Sequence, residues 1–101
     1  MGSRLELQTK LEELLGNRNV YFDPPENLKM EYPAIRYSIS KYDARHADNI
    51  KYSNITRYEL IVIDKRAGND VIKKILELPL SSHDRHYTSD NLHHDNIILY
   101  F

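Results

Sequence analysis

Residues 56–63 read Thr-Arg-Tyr-Glu-Leu-Ile-Val-Ile, a stretch that begins with alternating side chains and ends in a continuous β-branched run. Alternation of polar and apolar residues is typical of a strand, and a run of branched apolar residues is typical of a strand covered on both faces. The stretch therefore predicts a strand in the middle of a β-sheet.

Four further strands are predicted around this one, at residues 20–22, 34–40, 82–87 and 96–101. Ile35, Tyr37 and Ile39 alternate with polar residues, which is the period of a strand with one buried face. The short run at 20–22 ends at Asp23-Pro24-Pro25, because proline cannot donate to a sheet ladder. The last two strands flank a polar break at 88–91 and are predicted to form a hairpin.

Two helices complete the predicted elements. Leucines at 7, 11, 14 and 15 share one helical face, Ser3 and Glu6 fit a capping box, and Gly16 suits a left-handed cap, so a helix is placed at 4–15. A second helix is placed at 70–78, where Asn69 or Asp70 is the cap. The order of elements predicts a single α+β domain over residues 1–101, with a mostly antiparallel sheet of about four to five strands and two α-helices packed on one face.

Residues 41–54, whose apolar residues are scattered, are predicted to be a long polar loop that includes at most a short strand near Lys51-Tyr52. Loops of this length in small domains are often functional. Eight of the ten aromatic residues in the chain are tyrosines, and tyrosine suits surfaces that another protein covers. We therefore predict that the loop contributes to a subunit interface, with the candidates Tyr42, Arg45, His46, Asn49 and Tyr52.

Composition excludes several classes of function. The chain has no cysteine, which excludes disulfides, thiolate metal sites and a cysteine nucleophile. The 14 basic residues are balanced by 15 acidic ones, so specific nucleic-acid binding is not expected. Three glycines are too few for a phosphate-binding loop. The N-terminal residues have neither the pattern of a secretory signal nor that of a membrane span.

Histidines in the last hairpin are the strongest candidates for chemistry. His83, His86, His93 and His94 lie near Asp84 and Asp95, and imidazoles with carboxylates bind divalent metals. On regular strands, however, His83 and His86 lie on opposite faces, as do the adjacent His93 and His94. Without a bulge, at most one histidine of each pair can converge on a site.

The expectation is accordingly that the chain has no catalytic residues, no cofactor and no metal. A hydrolytic site is disfavoured as well, because the nearby serines lie in turn-like sequence and not in the context of an activated nucleophile. A small metal-binding or metal-dependent enzyme domain that uses these histidines remains the alternative.

Several segments of the chain resemble the tail terminator, tail completion and head–tail joining proteins of tailed bacteriophages. The resemblance covers most of the chain from about Val20 onward, and it includes the phrases Tyr32-Pro33-x-Ile35 and Asp84-Arg85-His86-Tyr87. The segments that carry it are 26–37, 47–49, 57–64, 78–79, 84–87 and 95–101. No interface motif of the family can be matched to particular positions in this chain.

The resemblance implies a non-enzymatic structural protein of the virion. Such a subunit forms a hexameric ring at the head-proximal end of the tail, stops growth of the tail tube and presents a surface to the head connector. Its partners would be further copies of itself, the tail tube protein and the head connector or head completion protein. It would be made and assembled in the cytoplasm of the host bacterium, without a membrane partner.

Overall fold

The computed structural model describes residues 4–25, 28–43, 46–47, 50–51 and 55–101. Of these, the ones that fall within 41–55 are described by their backbone only. The helices are α1 (Arg4–Leu15) and α2 (Asp70–Leu76). The strands are β1 (Val20–Phe22), β2 (Ala34–Asp43), β3 (His46–Ala47), β4 (Ile50–Lys51), β5 (Ile55–Asp64), β6 (Ser81–Ser89) and β7 (Leu92–Tyr100).

Five of these strands form one sheet in the order β1-β2-β5-β7-β6. Strand β1 runs parallel to β2, and the other neighbouring pairs are antiparallel. The central position of β5 and the edge position of β1 are confirmed. The predicted α+β class with a mostly antiparallel sheet is confirmed as well.

Both helices pack on one face of this sheet, which we call the inner face. The apolar positions of each strand follow the predicted period of two, so that Ile35, Tyr37, Leu60 and Ile97 lie together under the helices. The helices contribute the buried side chains Leu7, Leu11, Val71 and Ile75. Most of the core is therefore a layer of side chains between the helices and the sheet. Neither described helix lies on the opposite, outer face, where Ala34 and Ile63 are buried as well.

Local sequence signals explain where the helices begin and end. Helix α1 has the predicted bounds, and Gly16 adopts a positive φ of 85° directly after it, a conformation that glycine adopts without strain. Ser3, the predicted cap, lies outside the described residues. Asn69 caps α2, since its side chain accepts a hydrogen bond from the Val71 N–H at 2.9 Å. Helix α2 ends at Leu76, two residues before the predicted end.

The final hairpin is longer than the sequence analysis predicts. Strands β6 and β7 reach Ser89 and Leu92, so that only Asp90 and Asn91 form the turn. Both turn residues have positive φ, 53° and 63°, as a type I′ turn requires. This turn matches the twist of the flanking strands, and the polar residues around it therefore pair instead of forming a break.

The predicted loop at 41–54 is wrong for the part of it that the structure describes. Strand β2 continues to Asp43, which pairs with Ile55, and the short strands β3 and β4 pair with each other. Backbone hydrogen bonds between two strands do not require a buried face, so the absence of an apolar period does not exclude pairing. Residues 44–45, 48–49 and 52–54 lie outside the described residues.

Among the described groups of the core, Tyr37 has a hydroxyl with a shifted pKa. Its side chain is 1% exposed, and its hydroxyl donates to Gln8 Oε1 at 2.5 Å and accepts from Arg4 Nη1 at 3.5 Å. Burial raises the pKa of the Tyr37 hydroxyl, and the hydrogen bond and charge of Arg4 oppose that rise in part. The neutral hydroxyl is thus the form that the folded state favours.

A prediction for alkaline pH follows from this raised pKa. As the pH rises through about 10, Tyr37 ionises in the unfolded chain before it ionises in the folded protein. The free energy of unfolding therefore decreases between that pH and the pKa of the folded state. Tyr37→Phe should lower the free energy of unfolding by about 1 kcal/mol at neutral pH, through the lost hydrogen bond, but should lose less stability than wild type above about pH 10. Urea unfolding over a pH series measures both, with Tyr100→Phe as the control. An identical alkaline loss in wild type and Tyr37→Phe would contradict the prediction.

Candidate functional site

Of the five interface candidates predicted from the sequence, two lie in described strands and three lie outside the described residues. The backbone of Tyr42 lies in β2, and that of His46 lies in β3. Arg45, Asn49 and Tyr52 lie outside the described residues. Their role at a subunit interface stays a prediction.

A β-bulge in β6 changes which histidines come together. The register of β6 against β7 shifts between His83 and Arg85, so that Asp84 is an extra residue in the strand. His83 pairs with Ile97 and His86 pairs with Asp95, and both histidines therefore lie on the inner face. The prediction that they lie on opposite faces is wrong, because it assumed a regular strand.

The bulge creates a cluster of His83, His86, His93 and Asp95, which we call the histidine cluster. Asp95 is 7% exposed, and its Oδ1 accepts hydrogen bonds from His83 Nε2 at 3.0 Å and from His86 Nδ1 at 2.9 Å. The other ring nitrogen of His86, Nε2, faces His93 Nδ1 at 3.4 Å. Asp95 thereby fixes the orientation of both neighbouring imidazoles.

Hydrogen bonds join the members of this cluster. One ring nitrogen of His83 and one of His86 point at the same carboxylate oxygen of Asp95. Within the described part of the chain, no group of three or more histidine and acidic side chains is arranged to hold a metal ion. The cluster thus links the edge strand β6 to β7 through side-chain hydrogen bonds on the inner face.

His94 lies apart from the cluster, on the outer face of the sheet. Its ring stacks on Tyr87 with centroids 4.7 Å apart and planes 12° apart, and the Arg85 guanidinium lies 5.5 Å from the Tyr87 centroid. The prediction that His93 and His94 lie on opposite faces is correct for the regular strand β7. Arg85, Tyr87 and His94 form a stack on the hairpin, in which Arg85 and Tyr87 are exposed and His94 is half-buried.

The outer face of the sheet combines half-buried apolar side chains with charges. Register places Arg36, Ile61, Asn96 and Arg85 in one row across four strands. The other described members of the face include Ser38, Glu59 and Ile98 in a second row, with Arg57 and Tyr100 in a third. Ile61, Ile98 and Tyr100 are only half-buried. Asn96 is 2% exposed, and its Oδ1 accepts no hydrogen bond from the described residues.

A second surface lies on the opposite side of the molecule, on the exposed face of helix α1. It is a shallow depression lined by Leu5, Glu6, Thr9, Lys10 and Glu13. Leu5 is 66% exposed, which is a high value for a large apolar side chain on a helix that packs on a core. We call these five residues the α1 surface.

Comparison with protein-family models, with curated proteins and with solved structures found no match to this chain. Among the described residues, neither helix has the length and apolar character that crossing a membrane requires. The geometry of the chain itself therefore carries the functional argument.

The sequence analysis missed the outer face and the α1 surface. A signal for the outer face was present in β7, where Ile98 and Tyr100 alternate with Ile97 and Leu99, so that both sides of the strand are apolar. For the α1 surface the signal was Leu5, which lies beside the apolar stripe of the helix and not within it.

Proposed function

We propose that this chain is a structural, non-enzymatic subunit of a tailed bacteriophage. Copies of it form a ring, hexameric in our proposal, that ends the tail tube and joins it to the head connector. Its partners are then other copies of the same chain, the tail tube protein and the connector. The mature location is the head-proximal end of the tail in the virion.

The observation that carries this proposal is the two-sided architecture of the subunit. Helices cover the inner face of the sheet, whereas the outer face keeps half-buried apolar side chains without a helix over them. The two sides therefore present different surfaces. A ring requires such a subunit, because each copy contacts its neighbours through two different patches in a head-to-tail manner.

The dimensions of the molecule are compatible with a ring. The chain measures 48 × 24 × 23 Å. An elongated body of this size cannot enclose a channel alone, but several copies placed side by side can surround one. The α+β fold is also what the resemblance to tail terminator and head–tail joining proteins implies.

An amber codon in the gene tests the proposal in the phage that encodes it. Lys29 is a suitable position, since termination there removes every strand of the sheet except β1. In a non-suppressing host we expect filled heads without attached tails, together with tail tubes of irregular length, as seen by negative-stain electron microscopy. Infectivity should fall to the background of the assay.

The matched control is a synonymous codon at Lys29, and growth on a suppressing host should restore normal virions. Virions with attached tails of uniform length from the non-suppressing host would contradict the proposal. Detection of the chain at another place in the virion, by labelling with an antibody, would contradict it as well.

A further inference from the structure

The outer face and the α1 surface are complementary in charge. Three arginines of the outer face, Arg36, Arg57 and Arg85, outnumber its one described glutamate, Glu59. On the α1 surface two glutamates outnumber the single lysine, Lys10. One face is thus net positive and the other net negative, and they lie on opposite sides of the same subunit.

We propose that the α1 surface of one subunit packs on the outer face of the sheet of the next subunit. This inference rests on the proposed ring and names the contact that builds it. The occupant of the outer face is then a second copy of this chain. The contact is heterologous, so it continues from copy to copy, and it forms a ring where the rotation between neighbouring subunits closes.

Apolar side chains match across the proposed contact. Leu5 is 66% exposed on the helix, and Ile61, Ile98 and Tyr100 remain half-buried on the sheet. A helix laid on the open face of a sheet completes the helix–sheet–helix layering that buries both sides of a sheet. The buried Asn96 Oδ1, which accepts no hydrogen bond from the described residues, lies within the same face.

The two surfaces also match in size. Four strands are roughly 15–20 Å wide and eight strand residues are about 26 Å long. Helix α1 has 12 residues and is about 18 Å long. A single helix on such a face buries less than the roughly 800 Å² per partner of a standard interface. The contact is therefore expected to be weak in pairs, to depend on protein concentration and to weaken with added salt.

Two surface variants of the full-length chain test this contact. The first, Arg36→Glu with Arg85→Glu, reverses charge on the outer face and leaves the α1 surface intact. The second, Leu5→Arg with Glu13→Lys, changes exposed positions of the α1 surface and leaves the outer face intact. Analytical ultracentrifugation over a concentration series measures the mass of each variant alone and of an equimolar mixture.

The expected result is specific to a heterologous contact. Wild type should gain mass with concentration, and each variant alone should remain a monomer. The mixture should gain mass, because the intact α1 surface of the first variant fits the intact outer face of the second, and the two charge-reversed surfaces attract each other as well. A contact between two identical patches cannot produce this pattern.

Matched controls change the same residue types elsewhere on the chain. Lys65→Glu with Arg66→Glu makes the same charge change in the exposed turn after β5, and Leu80→Arg with Glu77→Lys makes the same substitutions as the helix variant. Both controls should assemble like wild type. A thermal unfolding transition shows for every variant that it is folded. If the sheet variant does not fold, the α1 variant still tests the contact, because both of its changed residues are exposed.

Three outcomes would overturn the inference: a wild type that stays monomeric up to its solubility limit, variants that assemble like wild type, or a mixture that stays monomeric. The amber phage separates these from a failure of the proposed function. If tails are defective in the amber phage while both variants still form rings, the ring function stands and the contact lies elsewhere.

Discussion

Replacing Leu60 by alanine is expected to lower the free energy of unfolding by about 3 kcal/mol. Leu60 is fully buried in the central strand β5, and its cross-strand neighbours Tyr37 and Ile97 are buried as well. The neighbours are held by strands on both sides of β5, so they cannot move to fill the space that the lost atoms leave. The substitution therefore costs the transfer free energy of the side chain and that of a cavity.

Urea unfolding measures this loss, and an unchanged dependence on urea concentration would show that the unfolding transition remains comparable. The control is Leu80→Ala, because Leu80 is 64% exposed and its truncation should change stability by less than about 0.5 kcal/mol. Equal losses for Leu60→Ala and Leu80→Ala would show that the core is not where the structure places it.

Asp95→Ala is expected to lower the free energy of unfolding by about 2 kcal/mol at neutral pH. The substitution removes the oxygen that accepts hydrogen bonds from both His83 and His86. Those two imidazoles are 37% and 40% exposed, so water replaces part of what they lose and the effect stays below that of a fully buried pair. Because β6 is an edge strand whose neighbour in the described sheet is β7, the loss should appear first as faster amide exchange along β6.

Asp84→Ala is the matched control for this prediction. Asp84 is an exposed carboxylate in the same hairpin, at the bulge, and its removal should change stability by less than about 0.5 kcal/mol. In a background that carries His83→Ala and His86→Ala, the cost of Asp95→Ala should shrink by about 1 kcal/mol, because its partners are gone. A cost that is the same in both backgrounds would mean that the histidine cluster does not stabilise the hairpin.

The elements that the sequence predicts well are those whose signal is local and periodic. The leucine spacing and Gly16 define α1 to the residue, and the apolar run ending at Ile63 identifies the central strand. In both cases the side chains that form the pattern are also the ones that the core buries. Local pattern and tertiary packing therefore agree.

The features that the sequence does not reveal depend on a partner strand. The bulge at Asp84 exists only as a mismatch between β6 and β7, and no residue in β6 alone marks it. The extension of β2 to Asp43 is stabilised by backbone pairing to β5, which leaves no apolar period to read. The histidine cluster depends on this bulge, so it could not be predicted from the sequence either.

The turn at Asp90 and Asn91 has a consequence for the order in which the sheet is built. A two-residue connection closes the β6–β7 hairpin at little cost in chain entropy, and hairpins of this kind form within about 1–10 μs. Strand β5, in contrast, must find β7 across helix α2 and strand β6. During synthesis, β5 can pair with β2 early, but its other edge has no partner until Tyr100 has left the ribosome. Until then β5, the central strand of the complete sheet, is an apolar edge strand, and this incomplete sheet is the species on which a chaperone would act.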